Sequence, residues 1–323
     1  MTRAIRIHET GGPEVLRWED VPLESPRADE VLLRQTAVGL NYIDTYHRTG
    51  LYPLELPAIL GREAAGVIEA VGNAVESLAV GDRVAYALEP GSYCEARVIA
   101  AGRLVRLPES IDDRTAAAMM LKGLTAQYLL RRCYRVQAGD TILIHAAAGG
   151  VGLIACQWAK ALGATVIGTV GSAEKAALAR NHGCDHPILY REQDFVERVR
   201  ELTDGAGVKA VYDSVGRDTF NGSLDCLETR GMLVSFGQSS GPVEPFDIGV
   251  LAVKGSLNLT RPSLAHFIAT KTELDSAAAE LFDLHASGAL RIEIGRTYPL
   301  SEAIQAHRDL EARATSGSTV LLP

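Results

Sequence analysis

The stretch HAAAGGVGLIACQWAKALGA, residues 145–164, carries Gly149, Gly150 and Gly152 within four positions and no charge before Lys160. Three structures compete for it. A membrane span fails first: Asp140 and His145 flank its start, Lys160 interrupts it, and clustered glycines make a poor lipid-facing helix. A strand and a buried helix joined by a merely structural turn is the second. The third is a variant of the dinucleotide-binding turn, with Ala147, Gly149 and Gly152 in an A-x-G-x-x-G arrangement. That arrangement follows a predicted strand over 141–145 and opens a predicted helix over 151–162. Ala147 permits the tight turn, Gly149 lets backbone approach a pyrophosphate, and Gly152 lets the helix pack on the strand. The helix N-terminus then offers unpaired N–H groups and a positive dipole end to phosphate. The strand–turn–helix context favours the third reading.

Outward from this turn the rhythm is strand, glycine turn, helix, through TVIGTVGSAEKAALARNHG, VKAVYDSVGRDTFNGSLDCL and GMLVSFGQSS. That alternation predicts an α/β fold with a doubly wound parallel sheet. Residues 1 to about 120 read differently, as short β runs such as AIRIHE, EVLLRQTAVGLN, AAGVIEAVG and YCEARVIA separated by turn residues. The tail after 261 reads as helix, strand, helix, strand, returning to complete the first domain. The expected division is therefore 1–122, 123–261 and 262–323, the outer two segments forming one mostly β domain.

A chain of 323 residues suits two domains, and 47% apolar with 22% charged residues is the balance of a folded globular protein. The net charge of −8 argues against non-specific nucleic-acid binding, which needs basic surface. The five cysteines form no CxxC pair, so a structural zinc lobe or disulfide framework lacks its ligands. The N-terminus lacks the apolar core of a signal peptide, and a cytoplasmic location is expected.

The second glycine turn bears on cofactor choice. An NAD site usually has an acid at the tip of the second strand, about 20 residues after the first turn. Here the tip reads Gly171–Ser172, and if Ser172 caps the next helix then Lys175 is its third residue. A cation there is either a solvated surface group or one half of a 2′-phosphate site with Ser172. The second alternative is favoured, and with it NADP(H). The cluster His182, Cys184 and His186 suggests a metal, but Gly183 better caps a helix ending near His182. His145 is expected to pack or bond to backbone, and Cys156 to be an inert core thiol.

The motifs GLNYIDTYHRTGLYP, GREAAGVIEAVG, GDRVAYA, LKGLTAQYLLRR, HAAAGGVGLIACQWAKALGA, YDSVGRDT and TRPSL, in this order over essentially the whole chain, resemble the zinc-independent quinone oxidoreductases. These belong, with zeta-crystallin, to the medium-chain dehydrogenase/reductase superfamily. The resemblance implies a GroES-like catalytic domain around a Rossmann domain, NADPH as hydride donor, and a homodimer joined through Rossmann-domain strands. Where zinc-dependent relatives carry catalytic zinc ligands, this chain has Asn41, Arg62 and Leu121, which cannot replace them. Arg62 is expected to pair with Asp44 or Glu63.

An electron-poor acceptor needs only orientation and modest hydrogen bonding to the oxygen gaining charge. Asn41, Tyr46, Tyr52 and Thr125 could line its pocket, although both tyrosines also suit ordinary packing. On the cofactor side the resemblance points to Tyr128, Gly150, Val151, Gly171, Ser172, Lys175, Tyr190, Ser214, Phe236, Ser239 and Arg313. Tyr190 equally fits a surface tyrosine, and Arg313 a solvated helix-end charge. The leading expectation is NADPH-dependent, metal-free quinone reduction. Its alternatives are reduction of α,β-unsaturated carbonyls and a non-catalytic NADPH-binding or RNA-binding role of the zeta-crystallin kind.

Overall fold

The computed structural model describes residues 1–323. Its first half is strand-rich: β1 (Thr2–Ile7), β2 (Arg17–Val21), β3 (Glu30–Leu40), α1 (Tyr42–Arg48), β4 (Ala58–Ile59), β5 (Glu63–Val71), β6 (Arg83–Ala87), β7 (Ala96–Ala100) and β8 (Val105–Arg106). After α2 (Asp113–Tyr128) strands and helices alternate: β9 (Thr141–Ile144), α3 (Gly150–Ala161), β10 (Thr165–Val170), α4 (Ala173–Asn181), β11 (His186–Leu189), α5 (Phe195–Leu202), β12 (Val208–Asp213), α6 (Phe220–Asp225), β13 (Leu227–Ser235), α7 (Gly249–Val253) and β14 (Asn258–Thr260). The tail adds α8 (Lys271–Ala286), β15 (Ile294–Pro299), α9 (Ala303–Glu311) and β16 (Ser318–Leu322).

The chain separates into two compact units, one of residues 1–124, 268–282 and 292–323, the other of residues 125–267 and 283–291. In the first, β16 joins β3 antiparallel and β15 joins β16 parallel, so the end of the chain extends the sheet begun near its start. Alternation explains the first part of β3, where Val31, Leu33 and Gln35 are buried while Arg34 and Thr36 point outward; from Ala37 to Leu40 every residue is buried. Its core gathers Ile5, Leu33, Leu40, Ile68, Tyr86, Tyr93 and Leu321.

In the second unit six parallel strands run in the order β11-β10-β9-β12-β13-β14. The runs TILI and TVIGTV are buried along nearly their whole length, as parallel strands covered on both faces must be. The order reverses between β9 and β12. In such sheets ligands bind beyond the carboxyl ends of the strands at that reversal, where the glycine-bearing stretch lies. No helix is long and apolar enough to cross a membrane.

Candidate functional site

In the second unit β9 ends at Ile144 and α3 begins at Gly150, one residue from each sequence expectation. Gly149 is the N-cap. The first-turn N–H groups of Gly150, Val151 and Gly152 have no carbonyl four residues back within the helix. A Cβ on Gly152 would lie 2.3 Å from the Ala146 carbonyl, so only glycine lets α3 approach the turn. A Cβ on Gly149 would meet one atom, Ala146 O at 3.2 Å, leaving that flank open. A closed inner glycine and an open outer one fit a pyrophosphate on the outer side. The tight turn itself falls on Ala146, at φ +53°, rather than on Ala147. Ala147 is buried with its Cβ against Gly168.

Beyond β10, Ser172 caps α4, its hydroxyl oxygen accepting the Lys175 N–H at 3.3 Å. Lys175 is the third helical residue, as the spacing predicts. Glu174, exposed in the same turn, accepts the Ser172 hydroxyl, which holds its carboxyl below the usual range. This carboxylate is a residue the sequence motifs do not single out, although an acid in a first helical turn is a common signal. Tyr190, just past β11, places its hydroxyl beside Gly171: a Cβ there would be 3.1 Å from it. Gly171, Ser172, Lys175 and Tyr190 thus gather at adjacent strand ends. Past β12 and β13, Phe236 N–H donates to Asp213 O at 2.8 Å and Ser239 N–H to Ser214 O at 3.2 Å, so Ser214, Phe236 and Ser239 form a second group. Tyr128 is buried and stacks on Phe267 with ring centroids 4.5 Å apart, and burial pushes its phenol up. Thr125 is half-buried.

His182, Cys184 and His186 do not converge. His182 Nδ1 bonds to Leu178 O, Gly183 takes φ +86° after α4, and His186 is exposed. Cys156 is buried against Cys184, whose hydrogen bond, with burial, pushes its thiol up.

In the first unit, Asn41 precedes α1 and is gripped twice. Its backbone N–H donates to Asp44 Oδ2 at 2.9 Å, and its Nδ2 donates to Glu63 Oε1 at 2.8 Å. The same Glu63 oxygen holds the Lys122 ammonium at 2.5 Å, and Oε2 accepts the Leu121 N–H at 2.6 Å. Asn41 Nδ2 also reaches Gly39 O at 3.4 Å, so the amide expected to face a substrate has its donors turned into protein.

Asp44 is wholly buried and accepts the Tyr93 hydroxyl at 2.9 Å, while its Oδ1 has no partner. Burial, reinforced by nearby Glu63, pushes its carboxyl up to about 7 against the Asn41 and Tyr93 hydrogen bonds and Lys122. Behind Tyr93 stand His307 at 3.1 Å, then Arg48, paired through two bonds with Glu311.

Arg62 does not pair with Asp44 or Glu63, contrary to expectation. Lys122, 59 positions along the chain, takes Glu63, and Arg62 donates instead to Leu88 O at 2.8 Å and His47 Nε2 at 2.7 Å. His47 therefore carries its hydrogen on Nδ1, donated to Tyr52 O at 3.2 Å. Burial and the Arg62 charge hold its pKa down at about 4. The result is a fixed Tyr52, whose N–H also donates to Tyr46 O at 3.0 Å. Tyr46 lies edge-on to both Tyr52, at 5.2 Å, and Tyr42, at 5.5 Å. Tyr42, half-buried, joins the pair through its i, i+4 spacing on α1, a signal present in the sequence. Arg313 is exposed in a left-handed turn after α9, at φ +57°.

A parallel sheet with a glycine turn open at Gly149 and closed at Gly152, and a β unit completed by the chain's own tail, define a medium-chain dehydrogenase/reductase. Residues 27–132 match the alcohol dehydrogenase GroES-like domain family and residues 150–280 the zinc-binding dehydrogenase family. The chain is 55% identical to a quinone oxidoreductase of Pseudomonas aeruginosa over the full length of both. It superimposes with a TM-score of 0.97 on Escherichia coli quinone oxidoreductase complexed with NADPH, at 50% identity, covering 99% of this chain and 100% of that one. A 2-haloacrylate reductase from Burkholderia sp. is 48% identical, covering all of this chain and 99% of its own. Within that class, the chain belongs to the quinone oxidoreductase family.

Proposed function

We propose that this protein uses NADPH to reduce quinones by hydride transfer, without a metal ion. The observation that carries the reading is the glycine turn: open at Gly149, closed at Gly152, and followed one strand over by Ser172, Lys175 and Tyr190. The first-turn amides of α3 would take the pyrophosphate, and Ser172, Lys175 and Tyr190 the 2′-phosphate. Ser214, Phe236, Ser239, Tyr128 and Arg313 are the further cofactor contacts proposed. When bound, the nicotinamide supplies the hydride. Tyr46 and Tyr52, with Asn41 and Thr125, are the residues proposed to orient the acceptor.

The metal-free part rests on donor chemistry. At the positions where zinc relatives carry ligands, the Asn41 amide is held by Glu63, the Arg62 guanidinium by Leu88 and His47, and Leu121 has an alkyl side chain. None offers a metal a free thiolate, imidazole or carboxylate. A homodimer is supported by β14, an edge strand of the parallel sheet, and by the exposed Ile248 and Val253 on the segment leading into it. A reducing cytoplasm suits five unpaired cysteines. Reduction of activated double bonds is a second reading, favoured by the kinship to a 2-haloacrylate reductase.

The test compares kcat/KM for NADPH and NADH with a benzoquinone acceptor, before and after treatment with a metal chelator. The reading expects strong NADPH preference and no effect of chelation. Equal use of both nucleotides, or activity lost on chelation and restored by zinc, refutes it.

A further inference from the structure

His145, at the end of β9, is 1% exposed and has no part in the chemistry above. Its partners fix its hydrogen. Asp213 Oδ1 accepts the N–H groups of Val215 and Gly216 at 2.8 and 3.0 Å. Asp213 Oδ2 accepts the hydroxyls of Thr219 and Ser223 at 2.7 and 2.8 Å. A serine hydroxyl has one proton, so Ser223, having given it to Asp213, can only accept from His145 Nε2 at 3.0 Å. The imidazole therefore carries hydrogen on Nε2 and leaves Nδ1 bare. That nitrogen accepts the Thr169 hydroxyl at 2.9 Å. Thr169 Oγ1 in turn accepts the Ala146 N–H at 3.3 Å, and Thr169 O accepts the Ala147 N–H at 3.0 Å. Every hydrogen in this chain points one way, from Ala146 toward Asp213.

The two ends of the chain are the two turns the cofactor reading uses. Ala146 is left-handed at φ +53°, a conformation that an alanine keeps only when its surroundings hold it. Its carbonyl accepts the Gly149 N–H at 2.9 Å, so its orientation sets the phosphate turn. At the other end, Asp213 fixes the turn through Ser214. Burial keeps the imidazole neutral, holding its pKa below the usual histidine range against the pull of Asp213, and the Phe195 ring packs edge-on against it at 5.0 Å.

We propose that His145 is a positioning residue for the nucleotide: with Thr169, Ser223 and Asp213 it locks Ala146 and the Ser214 turn in their binding conformation before the nucleotide arrives. The inference rests on the NADPH reading above. Preorganisation of this kind acts on nucleotide affinity and leaves the acceptor step alone.

The test measures NADPH Kd by nucleotide fluorescence and acceptor KM at saturating NADPH for T169V, T169S, H145F and the T169V/H145F pair. T169V keeps the shape of threonine without its hydroxyl, and T169S restores the hydroxyl. The expected result is a rise in Kd of about tenfold for T169V and for H145F, the scale of one lost buried hydrogen bond. T169S should stay within about twofold of the parent, the double variant should do no worse than the poorer single one, and acceptor KM should hold. Should H145F fail to fold, T169V and the ¹⁵N spectrum of the parent's imidazole decide the matter. Hydrogen on Nδ1 in that spectrum, or unchanged Kd for T169V whatever its thermal stability, overturns the proposal while leaving the cofactor reading intact. A parent protein that binds no NADPH overturns both.

Discussion

The side-chain amide of Asn41 donates to Glu63 Oε1 over 2.8 Å, which ties the residue before α1 to the first residue of β5. Glu63 is completely buried, and Lys122 supplies its compensating charge. Removing one partner of such a pair leaves a bare charge in the interior, at a cost of about 3–5 kcal/mol. Lys122→Met is therefore expected to lower stability toward urea by that amount, while Glu63→Gln with Lys122→Met recovers most of the loss. Equal stabilities of the single and double variants would contradict the pairing.

Asp44 predicts an unusual pH dependence. Its carboxyl stands at about 7 in the folded chain, above the ordinary carboxylate value it regains on unfolding. The folded state therefore holds the proton more tightly. The associated stability is complete below about pH 4 and is lost as pH rises to 7, a change of order 4 kcal/mol. His307, held down at about 3 by burial and Arg48, acts in the opposite sense, losing stability as pH falls from about 6.5 toward 3. His47 adds to that opposing trend. The Asp44 contribution thus emerges only as a difference. Subtracting the urea stability of Asp44→Asn from that of the parent should give a value that falls between pH 4 and 7. A flat difference would contradict it.

The two glycines of the phosphate turn should separate folding from binding. Gly152→Ala drives a Cβ to 2.3 Å from the Ala146 carbonyl and is expected to cost about 1–3 kcal/mol of stability. Gly149→Ala meets only one atom, at 3.2 Å, and should leave Tm nearly unchanged while weakening NADPH binding about tenfold or more. Thermal melts and nucleotide titrations on both variants check this, and a Gly149→Ala protein with parental affinity would count against the site.

Lys175→Ala is expected to lower the preference for NADPH over NADH by about ten- to a hundredfold, the range of a lost charge-assisted hydrogen bond. Glu174, exposed in the same turn, works against a bound phosphate, so Glu174→Gln should shift the preference modestly toward NADPH. Ratios of kcat/KM for the two nucleotides measure both effects.

Ile248 is 76% exposed and Val253 89%, on the segment that leads into the edge strand β14. For the homodimer proposed above, changing both to aspartate should give monomers in sedimentation analysis where the parent sediments as a dimer. A parent that sediments as a monomer, or a dimer that the two changes leave intact, would contradict a contact through this edge.

The parallel sheet, the glycine turn and the Ser172 cap were legible because each rests on neighbours in sequence: buried runs of β-branched residues, small residues at fixed spacing, a hydroxyl three residues from an amide. What was not legible depends on residues meeting from afar. Lys122, on a helix 59 positions beyond Glu63, displaced Arg62 from the pairing its local sequence suggested, and the guanidinium went to His47. The Asn41 amide could be named from sequence, but the carboxylate that turns it inward could not. For His145 the sequence suggests packing or a bond to backbone. Its partners Thr169 and Ser223 lie on separate elements, and only the sheet order brings them to its two nitrogens.

The most direct measurement is an anaerobic single turnover, with excess metal-free protein, NADPH deuterated on its transferable C4 position, and a benzoquinone. The account predicts loss of one nucleotide absorbance per hydroquinone formed, slowed by the deuterium. Tight NADPH binding with no quinone-dependent loss of that absorbance would contradict it.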